Sequence, residues 1–340
     1  MTRPEYSVVI ASVQPNENIP ALKALHQLPI SERPKSVLVC VGQNPSFQRN
    51  LGVKHCKTPL VYFLDDDSQI IPGETPNLIS HFQDRRTAVA GGPNLVPPDA
   101  ISFEHTVNSV LASWMGSFKV RSRYASIGSV RDTTEKELIL CNMMVNRQTF
   151  ITEGGFRTDL YPNEENEFLN RLLHKGYRLV YDPRAAVYRS RRKSLNAFCV
   201  QAFRYGRGRA QQMKVYPCLS DLIHLAPALF LFYLIALLSP WIFGDACPTQ
   251  NFLKSPWACI PFFLFVVLSV GTGVSVTSWH RRFMDVFKVP ILIFLRHSFY
   301  GVGLVAGLFT TLRKPAKNVK VYQVQWTAKA YKLKFLSEDK

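Results

Sequence analysis

Three consecutive aspartates, Asp65-Asp66-Asp67, end the apolar run LVYFL at 60–64. Carboxylates set this close repel one another, so a cation, a helix end or water must hold them together. Hard divalent ions take carboxylate oxygens along with phosphate and water, often with only one or two protein ligands. Asp65 and Asp67, spaced D-x-D, therefore suit Mg2+ or Mn2+ holding a nucleotide diphosphate. A helix cap followed by a solvated turn is the plainer reading. Further along, Glu164, Glu165 and Glu167 crowd the first turn of a helical pattern at 165–175. Complementing the helix dipole accounts for one or two of them. A third group is QAFRYGRGR at 201–209. Its glycines permit close backbone approach, which suits a loop that wraps a diphosphate. The alternative is a basic stretch facing lipid, common just ahead of a membrane span.

These residues need a scaffold, and the first half of the chain supplies one. YSVVIASV at 6–13, SVLVCV at 36–41 and LVYFL at 60–64 read as buried strands. Between them, 19–28 and 46–56 have helical spacing, the latter with Phe47, Leu51 and Val53 inward. Ala88–Ala90 leads into a tight Gly91-Gly92-Pro93-Asn94 turn, and 138–146 (LILCNMMVN) reads as a further strand. Alternating strands and helices imply a mostly parallel α/β sheet with helices on both faces. Ligands bind such sheets at the carboxyl ends of strands, which is where the aspartates stand.

After residue 221 the texture changes. The segments 222–243 and 257–279 carry no formal charge, and each is long enough to span about 30 Å of hydrocarbon. Trp257 and Trp279 bracket the second as interface anchors. A third run, 286–312, holds Lys288 near its start and Arg296-His297 in its middle, a pair that is costly in lipid unless it faces protein or water. Basic residues flank all of this. Ten Lys or Arg lie between Arg178 and Lys214 against the single acid Asp182, and the tail from 313 to 340 carries eight. If every basic flank is cytoplasmic, two crossings satisfy the charges and three do not. The third run then enters and returns, or lies in the interface, with a plain third span as the alternative. The expected organisation is a cytoplasmic domain at 1–215, a helical membrane region at 216–312 and a basic cytoplasmic tail at 313–340.

The whole chain has 340 residues, with 41 Lys plus Arg against 24 Asp plus Glu, a net charge of +17. Only 19% of residues are charged and 47% are hydrophobic, which excludes a disordered polycation. Cys40, Cys56, Cys141, Cys199, Cys218, Cys247 and Cys259 form no C-x-x-C pair and no zinc-spaced set, as suits a reducing compartment. MTRPEYSVVIASVQ, with one Arg and a short apolar run, is not expected to act as a secretory leader. The excess charge fits a nucleic-acid surface or an anionic membrane. It crowds the flanks of the apolar runs, so anionic lipid is the expected partner and nucleic acid is not.

Over roughly residues 5–215, the chain resembles the family 2 inverting glycosyltransferases of GT-A fold, a Rossmann-like nucleotide-sugar-binding architecture. It is most similar to membrane-anchored bacterial members that build exopolysaccharide or lipid-linked oligosaccharide, of the succinoglycan glucosyltransferase type. FQRNLGVKHCKTPLVYFLDDDSQI resembles their helix, strand and D-x-D segment. GGFRTDLYPNEENEFLNRLLHKGYRLVYDP resembles their G-G-F and E-D segment, and QAFRYGRGRA their Q-x-x-R-W box, with Tyr205 in place of Trp. The resemblance implies that Asp67, with Asp65, binds Mn2+ or Mg2+, and that Asp65 and Asp66 meet the donor. Glu165 would be the catalytic base beside Glu164, while Gln201, Arg204, Tyr205 and Arg207 would contact the diphosphate and acceptor. It further implies a nucleotide-diphospho-sugar donor (a UDP-sugar), a polyprenyl-diphosphate-linked acceptor and a bacterial inner-membrane location. The chain also departs from the family in having ASVQPNEN after the first strand, no acid in Val41-Gly42-Gln43-Asn44-Pro45 after the second, and Glu165 where the family usually has Asp.

Two alternatives stay open at this level. A processive polysaccharide synthase shares the same motifs but needs more spans, or a homo-oligomer, to enclose a channel. A noncatalytic nucleotide-sugar-binding scaffold would account for the missing acid.

Overall fold

The computed structural model describes residues 5–215, 217, 219–243, 250–253, 255–280, 282–312, 318–327 and 330–339. Readings that involve Cys218, Cys247, Arg281, Arg313, Lys314, Lys317, Lys329 and Lys340, or the side chain of Trp279, lie outside them. The strands in chain order are β1 (Tyr6–Ser12), β2 (Ser36–Val41), β3 (Leu60–Asp65), β4 (Ser68–Ile70), β5 (Thr87–Gly91) and β6 (Asn94–Leu95). They continue with β7 (Arg131–Asp132), β8 (Met143–Asn146), β9 (Arg178–Tyr181), β10 (Val187–Arg189), β11 (Val319–Trp326) and β12 (Tyr331–Asp339). The helices are α1 (Pro20–Gln27), α2 (Pro45–His55), α3 (Thr75–Ser80), α4 (Ser102–Ala112), α5 (Trp114–Ser117) and α6 (Arg147–Thr152). They continue with α7 (Glu164–His174), α8 (Leu195–Val215), α9 (Ala226–Phe243), α10 (Gln250–Leu253), α11 (Ile260–His280) and α12 (Asp285–Phe309). Two compact units share the chain: Met1–Ala100 with Lys119–Ser190 and Leu312–Lys340, and Ile101–Phe118 with Arg191–Thr311.

The first unit is built on a nine-stranded sheet ordered β12-β11-β2-β1-β3-β8-β5-β9-β7. Its centre is parallel, with Val9 opposite both Leu38 and Phe63. One face buries Phe63, Val61 and Val145 under α2, α6 and α7, and the other buries Ile10, Leu64 and Met144 under α1 and α3. Phe63, Phe150, Phe156 and Phe168 interlock on the first face, with ring centroids 4.9–5.4 Å apart.

The expectation of a mostly parallel sheet is corrected. Among the described residues of this sheet, only β1–β2, β1–β3 and β5–β9 are parallel; β8, β7, β11 and β12 all pair antiparallel, and a separate three-stranded sheet β4-β10-β6 is mixed. Each parallel neighbour needs a crossover of a dozen or more residues. Such crossovers set β1, β2 and β3 parallel, and the stretch from β5 to β9 does the same for that pair, whereas β7, β8 and β11 run the other way and β12 turns back on β11. The strand expected at 138–146 is also shorter, because Leu140–Asn142 is a 3₁₀ turn and only Met143–Asn146 joins the sheet.

The tail differs most from expectation. Instead of a basic appendage, Val319–Trp326 pairs antiparallel with β2, placing Val321 opposite Cys40, and Tyr331–Asp339 closes a hairpin on it. Val319, Val321 and Val324 join the core. Lys320, Lys332 and Lys334 alternate outward, as the pleat requires. Lysines along the outermost strand β12 also discourage pairing with another chain.

The second unit is helical. Three of its helices are long and apolar enough to cross a membrane by length and composition: Asp221–Ile242, Pro256–Ser278 and Asp285–Phe309. The third is one continuous helix, so a chain that enters and returns within 286–312 is corrected: no reversal interrupts it. Its mid-helix charges face protein. Arg296 Nε donates to Gly116 O at 2.5 Å, and His297 Nε2 donates to Met115 O at 2.7 Å, both on α5. Thr106 of α4 donates to Asp285 at 2.7 Å, and Lys214 of α8 donates to Gly307 O and Thr310 O at the far end.

The glycines of QAFRYGRGR likewise prove to have a different task. They lie inside α8, not in a loop, and a Cβ on Gly206 would stand 2.0 Å from Tyr300 O of α12. Reciprocally, a Cβ on Gly303 of α12 would stand 2.0 Å from Phe203 O. The two backbones therefore touch where both lack side chains. An exposed helical Gly→Ala change stabilises by about 1 kcal/mol. Here Gly206→Ala and Gly303→Ala are each expected to destabilise by roughly 1–3 kcal/mol, because the helices must separate. Thermal unfolding of the full chain in detergent reads the sign.

Candidate active site

Strand β3 delivers Asp65 to the carboxyl edge of the parallel core, and the chain turns at once into β4. Helix α2 starts from Asn44, whose side chain accepts from Phe47 N at 3.0 Å and donates to Thr158 O at 2.8 Å. This cap aims Arg49, a residue only 5% exposed, at two carboxylates. Arg49 Nη2 lies 2.7 Å from Asp65 Oδ1, and Nη1 lies 3.0 Å from Glu164 Oε1. The guanidinium thus links the D-x-D strand end to the acidic turn of α7.

The two glutamates separate by environment. Glu164 is buried, and its second oxygen, Oε2, has no hydrogen-bond partner. Burial, then the neighbouring Glu165, raises the Glu164 carboxyl above the ordinary range, against the pull of Arg49. Glu165 is more open, with its side chain 14% exposed and Oε1 3.9 Å from Arg123 Nη1. Arg123 is held by Asn166 Oδ1 at 2.7 Å and by the carbonyls of Glu135 and Lys136. Asp66 accepts from Ser12 Oγ at 3.2 Å. Burial and its two aspartate neighbours raise its carboxyl.

A third guanidinium completes the group. Antiparallel pairing of β10 with β4 sets Arg189 opposite Ser68, one residue past the aspartates. Arg189 Nη2 lies 2.8 Å from Asp65 Oδ2, and Nε lies 2.9 Å from Asp67 Oδ1. Asp65 and Asp67 are the right chemistry for Mn2+ or Mg2+, being hard oxygens. Yet guanidinium nitrogens engage both oxygens of Asp65 and one of Asp67. A divalent ion bridging the two does not fit while Arg189 is there. Among the described residues, no group of three or more His, Cys, Asp or Glu side chains is arranged to hold a metal ion.

The first unit therefore brings together Asp65, Asp66, Asp67, Glu164 and Glu165. The remaining expected contacts, Gln201, Arg204, Tyr205 and Arg207, lie on α8 of the second unit. There Gln201 Nε2 donates to Tyr205 Oη at 3.3 Å and Arg204 is exposed. Sequence reading missed Arg49, Arg123 and Arg189. Arg49 shows in sequence as no more than one more polar residue in the mixed helix PSFQRNLGVKH. Arg189 stands in a basic run read as membrane charge, although VYR ends a strand.

Known proteins agree with this architecture. The family model described as glycosyl transferase family group 2 matches residues 60–306. Pre-mycofactocin glycosyltransferases from two strains of Mycobacterium tuberculosis are 27% identical over 176 residues, 48% of this chain and 34% of theirs. The match thus spans about a third of the length of those relatives. Among solved structures, a mannosyltransferase from Pyrobaculum calidifontis, PcManGT, in complex with GDP-Man and Mn2+, superposes with a TM-score of 0.54. It is 12% identical, covers 90% of this chain and is itself covered to 88%, a likeness of fold alone. The matched stretch runs from the strand that carries the aspartates, through the acidic helix, into α12, and on that span the chain belongs to glycosyl transferase family group 2.

Proposed function

We propose that this protein moves a sugar from a nucleotide-diphospho-sugar, a UDP-sugar, to a membrane-borne acceptor such as a polyprenyl-diphosphate-linked saccharide, with inversion, in cell-surface polysaccharide synthesis. The observation that carries this reading is the buried Arg49 bridge, which joins the Asp65–Asp67 strand end to the acidic turn of α7. In such a transfer the acceptor oxygen bonds to the anomeric carbon as the bond to the nucleoside diphosphate breaks. The hydroxyl proton must pass to a base. Glu165 suits that task because it is accessible, whereas Glu164 is buried against Arg49. Charge grows on the departing diphosphate, so fixed cations near it lower the barrier. Gln201, Arg204, Tyr205 and Arg207 are the proposed acceptor-side and diphosphate contacts.

Donor identity is testable by protection against thermal unfolding with UDP-, GDP- and dTDP-sugars. A UDP-sugar present at about 100 times its Kd should stabilise by roughly 2.7 kcal/mol. Protection by another nucleotude class alone would reassign the donor, and protection by none would remove the reading. With a defined lipid-linked primer, a single added sugar is expected; a ladder of products would favour a processive synthase.

The proposed location is the bacterial inner membrane, with the first unit cytoplasmic. Support comes from the sheet: β1 and β11 belong to the same sheet, so the chain leaves the first unit and returns to it. This return supports an even number of crossings in between. Of the three long apolar helices, α12 is the one that carries charges mid-helix, and besides packing on α9 and α11 it hydrogen-bonds to α4, α5 and α8. We therefore read α9 and α11 as the crossings and α12 as lying in the interface, among basic residues that favour anionic lipid. A side-specific reporter fused to the C-terminus is expected to report the cytoplasm. A periplasmic signal would make α12 a third span and contradict the β2–β11 pairing.

A further inference from the structure

We propose that Arg189 is itself the cation of the donor site, standing where a divalent ion would bind, so that transfer needs no divalent metal. This rests on the donor reading above. Two bonds place the guanidinium between the outer aspartates, at 2.8 Å from Asp65 and 2.9 Å from Asp67. The other Asp65 oxygen is held by Arg49 at 2.7 Å. A Mg2+ shared by Asp65 and Asp67 would sit at about 2.0–2.1 Å from their oxygens, in the space the guanidinium fills. It would also face two like charges at close range.

Arg189 is not a surface side chain that happens to reach inward. Its backbone is set by the β4–β10 ladder, in which Val187, Tyr188 and Arg189 oppose Ile70, Gln69 and Ser68, and by β6 on the other side. Its side chain is 20% exposed. A planar guanidinium gives charge and directed N–H donors together, which is the chemistry that binds phosphate oxygens. The aspartates then act as holders of Arg189, keeping a fixed positive charge beside the departing diphosphate. No proton or electron moves at Arg189; its contribution is electrostatic.

The test uses the full-length protein in detergent, with UDP, GDP and dTDP as probes and thermal unfolding as the readout, in EDTA and in Mn2+. Mn2+ binding is followed in parallel by electron paramagnetic resonance. The wild type is expected to be protected by one nucleotide with apparent Kd values in EDTA and Mn2+ within about twofold of each other. It should also bind no Mn2+ tightly. Arg189→Ala should weaken nucleotide binding in EDTA by about 30-fold or more, and Mn2+ should restore part of it because the aspartates are then open to the ion. Arg189→Lys keeps the charge without the fork and should fall between, which serves if the alanine variant does not fold. Protection of the wild type only with Mn2+, or tight Mn2+ binding lost in Asp67→Asn, overturns the proposal and leaves the donor reading standing. Protection by no nucleotide under either condition removes the donor reading and this inference with it.

Discussion

Glu165→Gln is expected to lower kcat by about 10²–10⁴-fold, with nucleotide protection and the unfolding temperature close to wild type. The amide keeps the size and polarity of the carboxylate but cannot accept the acceptor's proton, so loss should fall on the chemical step and not on donor affinity. Arg123, the neighbour 3.9 Å away, loses little because it retains Asn166 and two backbone carbonyls. Glu164→Gln is the informative contrast. That carboxylate is paired with Arg49 at 3.0 Å, so its loss should appear in stability as well as in rate. Transfer retained at wild-type rate by Glu165→Gln would take the base role away from this residue.

Arg49→Met should be the most damaging single change to the fold of the first unit, at roughly 3–5 kcal/mol. The methionine fills similar space, but it leaves buried Glu164 without its guanidinium and Asp65 with Arg189 alone. Desolvating a charge is tolerable only while its counter-charge is in place, which is why removing one member costs more than the pair contributes. Arg49→Lys should recover only part, since a single ammonium cannot reach Asp65 Oδ1 and Glu164 Oε1 through separate nitrogens as the fork does. The double change Arg49→Met with Glu164→Gln should be milder than the sum of its parts, a coupling that a double-mutant cycle of unfolding free energies measures. Strict additivity would show that Arg49 and Glu164 are not coupled.

Much of the first unit was legible from periodicity alone. Buried parallel strands read as continuous apolar runs, and β2 coincides with the run SVLVCV that marks it. Helix α7 was equally plain, since Phe168, Leu169 and Leu172 recur at helical spacing and all lie in the core. The hairpin β11–β12 was not read, although VKVYQVQW and YKLKF alternate with the period of a strand. Eight basic residues in the tail drew attention to lipid instead, and lysine on the outward face of a strand looks the same in sequence as lysine in a solvated tail. The glycines of α8 misled in a related way. A gap for a ligand and a gap for another helix ask for the same missing side chain.

Local chemistry in the sequence determined which residue types were available: three aspartates at a strand exit, glutamates opening a helix, long uncharged helices and a basic collar. These are properties of short segments, set by side-chain period and charge, and they survive in any arrangement of the chain. Tertiary structure alone decided which charges meet. Arg49 reaches Glu164 across 115 residues, and Arg189 reaches Asp67 across 122. Ion pairing of that kind has no sequence period, because it depends on the register of β4 against β10 and on the cap that aims α2. The same is true of the tail: hydropathy names the long apolar helices, and only the pairing of β11 with β2 shows that the chain returns to the sheet.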